Sequence, residues 1–248
     1  MTPTIDPRIA DRRRRVHDQR ARVGIRRTIW FLAVVATAGI LLWIGQSPWL
    51  AVKTITIDGV VHSAAAEILI AEEISIGRPL LIVRASRAEE ALRLDPWVID
   101  AAVTKVLPGT VEVVVVERIA GAFLETMDGT NLLAGDGTVL PLVETSALGR
   151  IRLSAIVPPV GETVDDLSVV GALEFLGGLP GDLAAGVVVF ETNDELWAEV
   201  GTHDVRLGRP IDMPQKAAAL VAVLSLGQPE GSLINVIAPT RPTVVPGG

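Results

Sequence analysis

Hydrophobic and polar positions follow three regimes along this chain. From 28 to 52 the sequence TIWFLAVVATAGILLWIGQSPWLAV runs for 25 positions without a charge. A helix rises about 1.5 Å per residue, so about 20 residues cross a hydrocarbon layer of about 30 Å. The pattern predicts a transmembrane helix over 28–50, with Pro48 as its stop. Trp30 at one end, and Trp43 and Trp49 toward the other, are expected as membrane-interface anchors, because indole favours the headgroup layer. Two secretion signals share the basic-then-apolar order. Ala36-Thr37-Ala38 imitates a cleavage site but falls mid-run. Arg26-Arg27 imitates a twin-arginine signal, for which the run is too long and too apolar.

Beyond 52 the period changes. VKTITI (52–57) alternates as a strand, and Asp58-Gly59 turns it. Ser63 with Glu67 resembles a capping box for a helix carrying Ile68, Leu69, Ile70 and Ile74; Gly77 and Pro79 end that region. Ser86 with Glu89 is a second such signal, for a helix carrying Ala88, Ala91, Leu92 and Leu94 up to Asp95-Pro96. Two β-rich runs follow, 98–107 and 110–117, joined by Pro108-Gly109. The order is β-α-α-β-β.

A third stretch is richer in strands. Runs at 120–125, 131–133, 139–140 and 151–153 are separated by Asp128-Gly129 and Asp136-Gly137. A helix is expected at 169–176, closed by Gly177-Gly178. A meander follows at 187–192, 196–200 and 203–207. Another helix spans 212–226, with Asp212 as N-cap and Ala218, Leu220, Val221 and Leu224 as its apolar face. Strands at 233–238 and 243–245 complete the pattern. The fold class is α+β: a transmembrane helix, a β-α-α-β-β domain, and a mixed, β-rich C-terminal domain. The expected boundaries are a basic cytoplasmic arm at 1–27, the span at 28–50, and domains at 51–118 and 119–248.

Charge gives the span a direction. The net charge is −7, but residues 1–27 carry nine arginines against three aspartates. The remaining chain holds 13 basic and 26 acidic residues. Arg12, Arg13, Arg14, Arg15, Arg26 and Arg27 therefore set the topology, with the N-terminus cytoplasmic and the acidic bulk outside. The same arginines suit anionic lipid, a cheaper explanation for the run than a nucleic-acid arm.

Composition removes several functions. Apolar residues make up 49%, which excludes a wholly disordered chain. With no cysteine there is no disulfide framework, thiolate metal site or cysteine nucleophile. With no tyrosine and 4% aromatics, a stacking platform for single-stranded nucleic acid is not expected. The histidines His17, His62 and His203 lack ligand spacing. No nucleophile, metal or phosphate motif is present. Asp165-Asp166 precedes a helix and suits its dipole. His203-Asp204 falls on opposite faces of a strand. Glu117-Arg118 marks a strand end and a domain junction, and Trp97 a core anchor.

Together VKTITIDGV, GRPLLIV and LDPWVIDAAVTKVLPGTVEVVVVER resemble a POTRA domain, and more narrowly the first extracytoplasmic part of the FtsQ/DivIB family of bacterial cell-division proteins. NLLAGDGTVLP, LWAEVGTHDVRLG, a helix containing Lys216, and INVIAP follow in the family's order. The resemblance implies a non-catalytic scaffold of the divisome, single-pass in the cell membrane at the septum. It implies FtsB-like and FtsL-like bitopic partners that lead to septal peptidoglycan synthesis, and no cofactor, nucleic acid or small-molecule substrate. It also places an FtsB-like partner on the C-terminal region. The closing strand leaves an edge at Arg241, Pro242, Thr243, Val244 and Val245 to which a partner strand could add. Arg241 is the expected charged contact and Val245 the apolar one. The alternative is a POTRA-bearing envelope assembly or transport component, a class that uses repeated POTRA units and a β-barrel.

Overall fold

The computed structural model describes residues 29–40, 43, 48–143 and 148–247. Residues 29–40 are helical (α1), as is Trp43. Ile29, Trp30, Phe31, Leu32, Val34, Val35, Ile40 and Trp43 are all exposed. Among the described residues, no helix is long and apolar enough to cross a membrane. The other parts of the expected span, at 28, 41–42 and 44–47, lie outside the described residues. So does the arm with Arg12, Arg13, Arg14, Arg15, Arg26 and Arg27.

From 48 onward the fold is α+β. Strands β1 (Thr54–Asp58), β2 (Val98–Val106) and β3 (Thr110–Glu117) form a sheet in the order β1-β3-β2. The helices α2 (Ala65–Ala71) and α3 (Ala85–Arg93) complete the β-α-α-β-β order expected from the periodicity. The described residues fall into two compact units, one including 48–56, 73–83 and 104–112, the other including 57–72, 84–103, 113–143 and 148–247.

In the first unit, Pro48–Leu50 form a 3-10 turn that leads into Val52. The Val52 N–H donates to Arg78 O (2.7 Å) and its carbonyl accepts from Gly77 N (2.8 Å). Lys53 N–H donates to Gly109 O at 2.7 Å. A Cβ at 109 would lie 2.5 Å from Ala51 O, so only glycine lets the β2–β3 turn approach this closely. Leu80–Ile82 form a second 3-10 turn. Val52, Ile74, Leu80, Val83 and Val111 are buried.

In the second unit, α2 and α3 pack together and bury Ala65, Leu69, Ala88 and Leu92. Neither expected capping box forms. The N-cap position is Ala64 for α2 and Arg84 for α3, and neither makes a side-chain cap bond. Carboxylates from elsewhere take the N–H groups before α2, as described below. Ser86 already lies inside α3, and Glu89 turns sideways to accept from Val103 N at 2.8 Å.

The large sheet has nine strands in the order β12-β11-β10-β9-β8-β7-β4-β5-β6. They are β4 (Ala120–Thr126), β5 (Gly129–Ala134), β6 (Val139–Leu140), β7 (Gly149–Arg152), β8 (Val187–Thr192), β9 (Glu195–Val200), β10 (His203–Gly208), β11 (Leu233–Asn235) and β12 (Thr243–Val245). Helices α4 (Leu167–Gly177) and α6 (Met213–Leu224) join their buried faces to the core formed by Leu124, Ile151, Val189, Ala198, Val205 and Ile234. The loop before α6 also lies close on α4: a Cβ on Gly171 would stand 2.4 Å from Pro210 Cβ. Asp166 caps α4, accepting from Ser168 N (2.8 Å) and Val169 N (3.2 Å), as an acidic helix start should. Asp212 sits at the N-cap of α6 in a left-handed conformation and makes no cap bond. The buried stripe of α6 is Met213, Lys216, Ala217, Leu220 and Val223, offset from the expected Ala218, Leu220, Val221 and Leu224. Of the expected face, Leu220 is buried and Val221 and Leu224 lie half-buried against the core, while Ala218 is exposed; the buried Lys216 was left out of it. The short helix α5 (Gly181–Ala184) had no periodic signal.

Candidate partner-binding edge

The strand expected to close the chain is the outermost strand of the large sheet. β12 runs antiparallel to β11, pairing Leu233 with Val245, Ile234 with Val244 and Asn235 with Thr243. β11 in turn runs parallel to β10. The pleat alternates the side chains of β12: Val244 leans on the main core, while Thr243 and Val245 are exposed. Arg241 N–H donates to Ala238 O at 3.0 Å, which turns the chain back from β11. The Arg241 side chain is exposed, and its guanidinium makes no ion pair among the described residues. Past the strand, Gly247 runs so close to 230–231 that a Cβ would meet Glu230 O at 2.6 Å. Arg241, Pro242, Thr243, Val244 and Val245 thus lie together at one sheet margin.

Two other margins are closed by the chain itself. At β6, the Val139 N–H donates to Glu162 O (2.9 Å) and its carbonyl accepts from Gly161 N (2.8 Å). Thr138 also bridges to Thr163. Along β2, the Val103 N–H goes to Glu89 and Ala101 O accepts from Arg93 Nη2 at 2.8 Å. Side chains here take up groups that a strand partner would need.

Glu117 and Arg118 prove to be a structural clamp. Glu117 accepts from His62 N (3.0 Å) and Ser63 N (2.7 Å). Asp95 accepts from Ala64 N (3.0 Å) and, through its other oxygen, from Trp97 N (3.0 Å). These carboxylates hold the entry to α2. Arg118 donates through Nη1 to Pro96 O (3.0 Å) and Val98 O (2.6 Å), and through Nε to Asp136 (2.9 Å). Partial burial pushes the Glu117 carboxyl up, but the N–H donors around it outweigh burial and hold it below its usual range. Asp136 follows the same pattern: burial raises it, and the bonds from Thr138 and Arg118 bring it down.

Trp97 is buried, as expected, but its partners were not foreseen. It packs with Leu132, Ala134 and Leu140 of the large sheet, and His62 stacks on its ring at 4.4 Å. Sequence reasoning left His62 as a loop residue. Its nearest signal was adjacency to the Ser63 turn, which does not specify an aromatic partner. Trp30 and Trp43 lie on the exposed helical stretch and Trp49 on the 3-10 turn, where its side chain is exposed. No group of three or more His, Asp or Glu side chains among the described residues could hold a metal ion.

This architecture has relatives. The family profile described as "POTRA domain, FtsQ-type" matches residues 50–118. A protein named "Cell division protein FtsQ" from Anaeromyxobacter sp. is 30% identical, over 92% of this chain and 80% of its own length. The protein of that name from Corynebacterium glutamicum is 24% identical, over 86% of this chain and 94% of its own. Another, from Mycolicibacterium smegmatis, is 27% identical, over 89% and 65% respectively. With a relative at this identity aligned over most of both chains, and an FtsQ-type POTRA domain in the expected place, the chain belongs to the FtsQ family of cell-division proteins.

Proposed function

We propose that this chain is a non-catalytic scaffold of the bacterial divisome, acting by protein–protein contact from the cell membrane. Its role in division follows from the family. The finer reading is a single span at 28–50, the arginine-rich arm in the cytoplasm, and domains at 51–118 and 119–248 outside. Trp30, Trp43 and Trp49 would anchor the span at the two interfaces, and Arg12, Arg13, Arg14, Arg15, Arg26 and Arg27 would fix its direction. The septal membrane is its working place. FtsB-like and FtsL-like bitopic proteins are its partners, and through them it recruits septal peptidoglycan synthesis.

The observation that carries this reading is the β12 margin. A partner strand added there gains main-chain hydrogen bonds for affinity and alternate side-chain contacts for specificity. Val245 offers the apolar contact and Arg241 the charged one, suited to an acidic partner segment. Pro242 and Pro246 limit self-pairing along the same edge.

The test is deletion of 240–248 from the detergent-solubilised full chain, with binding measured to the exported segment of an FtsB-like partner. The truncated chain should keep its circular dichroism and lose binding. Undiminished affinity in a folded truncation would move the site away from β12, with β1 of the POTRA domain the next place to look.

A further inference from the structure

Exposed apolar side chains sit on the segments that meet where the chain enters the first unit. Trp49, Ile76, Leu81, Ile82 and Leu107 are exposed by 75%, 73%, 58%, 58% and 66%. Far apart in sequence, they are gathered by backbone bonds around 51–53. Val52 exchanges two hydrogen bonds with Gly77 and Arg78, Ala51 bridges to Pro79, and Lys53 N–H reaches Gly109 O. The 76–82 segment and the tip of the β2–β3 turn therefore flank the point at which the Pro48–Leu50 turn delivers the chain. Apolar patches on soluble surfaces are usually small and broken up, and a cluster of this kind marks a surface with an occupant.

We infer that this occupant is the phospholipid bilayer: the end of the unit rests in the headgroup layer beside the span. The inference rests on the proposed span at 28–50. Continuity is the first argument. Trp49 belongs to the last turn of the proposed span, so the patch continues directly from the interface into which that span would insert. Charge is the second. The described residues 48–56, 73–83 and 104–112 carry Lys53, Arg78 and Lys105 against Glu73 and Glu112. The whole chain after 27, by contrast, has 26 acidic residues for 13 basic. An anionic leaflet repels an acidic body and accepts the one end that is not acidic. Lys105 Nζ donates to Val83 O, which keeps its stem along this surface. The bilayer thus fixes the orientation of the POTRA domain as well as holding its tether.

The chain has no cysteine, so single probes can be placed cleanly. Val35→Cys, Ile82→Cys, Leu107→Cys and Ile156→Cys are made in the full chain and labelled with an environment-sensitive fluorophore. They are reconstituted in vesicles of phosphatidylethanolamine and phosphatidylglycerol that carry spin-labelled lipid quenchers. Labels at 82 and 107 should be quenched several-fold more by a headgroup-level quencher than the label at 156, which is fully exposed. The label at 35 should respond to a quencher deep in the acyl chains. If 35 is quenched while 82 and 107 match 156, the inference falls and the span stands. If 35 is not quenched either, both fall. Shielding of 82 and 107 from a water-soluble quencher without quenching by lipid would mean that a second copy covers the patch, and would also overturn it. The substituted side chains are exposed, and either position alone decides the outcome.

Discussion

At one margin of the nine-stranded sheet, both residues of β6 are buried, and a loop at 159–164 occupies the hydrogen-bonding positions beside them. At the other margin, β12 is three residues long, exposes Thr243 and Val245, and is preceded by an arginine that makes no ion pair among the described residues. The two ends of one sheet are covered differently. The β6 end is part of the stability of the molecule, because Leu140 and its neighbours are covered by Trp97. The β12 end contributes little to the core beyond Val244 and is kept soluble by its shortness and its prolines. A margin sealed by the chain's own residues is available to nothing else. A margin left open is where the proposed partner strand would add.

Trp97→Ala should make the largest break at the sealed end. It removes a large ring packed on Leu132, Ala134 and Leu140 and leaves His62 without its stacking partner. The expected cost is about 3–5 kcal/mol, read by denaturant unfolding of the full chain in detergent. Below the unfolding midpoint, partner binding through β12 should be unchanged, because no residue of β12 touches this cluster. A matching loss of affinity in the folded variant would mean that the two ends are coupled.

Arg118→Ala comes next, at about 1–3 kcal/mol, since it strands the carbonyls of Pro96 and Val98 and unpairs Asp136. Arg118→Lys should recover only part of this, because an ammonium cannot reproduce the guanidinium fork that serves two carbonyls and a carboxylate together. Full recovery by lysine, in the same unfolding measurement, would reduce the clamp to simple charge.

Much of this contrast is visible in the sequence, and the rest is hidden for definite reasons. β3 and the meander of β8, β9 and β10 were legible because their apolar residues alternate and Gly or Asn-Asp turns bound them. β12 was legible from a short alternating run between prolines. Glu117-Arg118 announced a junction by placing two charges where an apolar strand stops. The partners of those charges were not legible. Periodicity reports which face of an element is buried and is silent on what buries it. Trp97 shows this: its burial could be read from residue type, but its neighbours lie 35 and more residues away on β5 and β6. Both capping signals failed because the helices start elsewhere: α2 begins one residue later, behind N–H groups that Glu117 and Asp95 take, and Ser86 lies inside α3, whose Glu89 goes to Val103 N.

At the open end, Val245→Glu should sharpen the comparison by separating stability from binding. Val245 is 59% exposed, so unfolding should move by no more than about 0.5 kcal/mol. Partner affinity, measured by titration calorimetry or interferometry, should fall by about tenfold, or about 1.4 kcal/mol, since the new carboxylate repels an acidic segment and spoils an apolar contact. Unchanged affinity would assign the outward face of β12 no part in recognition.

The smallest effect is expected from acid, and it falls on the clamp and spares the open edge. Glu117 and Asp136 both sit below their usual range in the folded chain. The unfolded chain therefore binds their protons more readily, and stability from these groups is complete above the ordinary carboxylate range. It drains away as the pH falls through about 4 and toward the lowered folded values. β12 presents main-chain groups that do not titrate. Glu117→Gln should lower stability at neutral pH, because it replaces a charged acceptor of two N–H groups, and should flatten part of the acid limb. Unfolding midpoints of the two chains should accordingly converge as the pH is lowered. Parallel curves down to pH about 3 would show that Glu117 gains nothing from its charge.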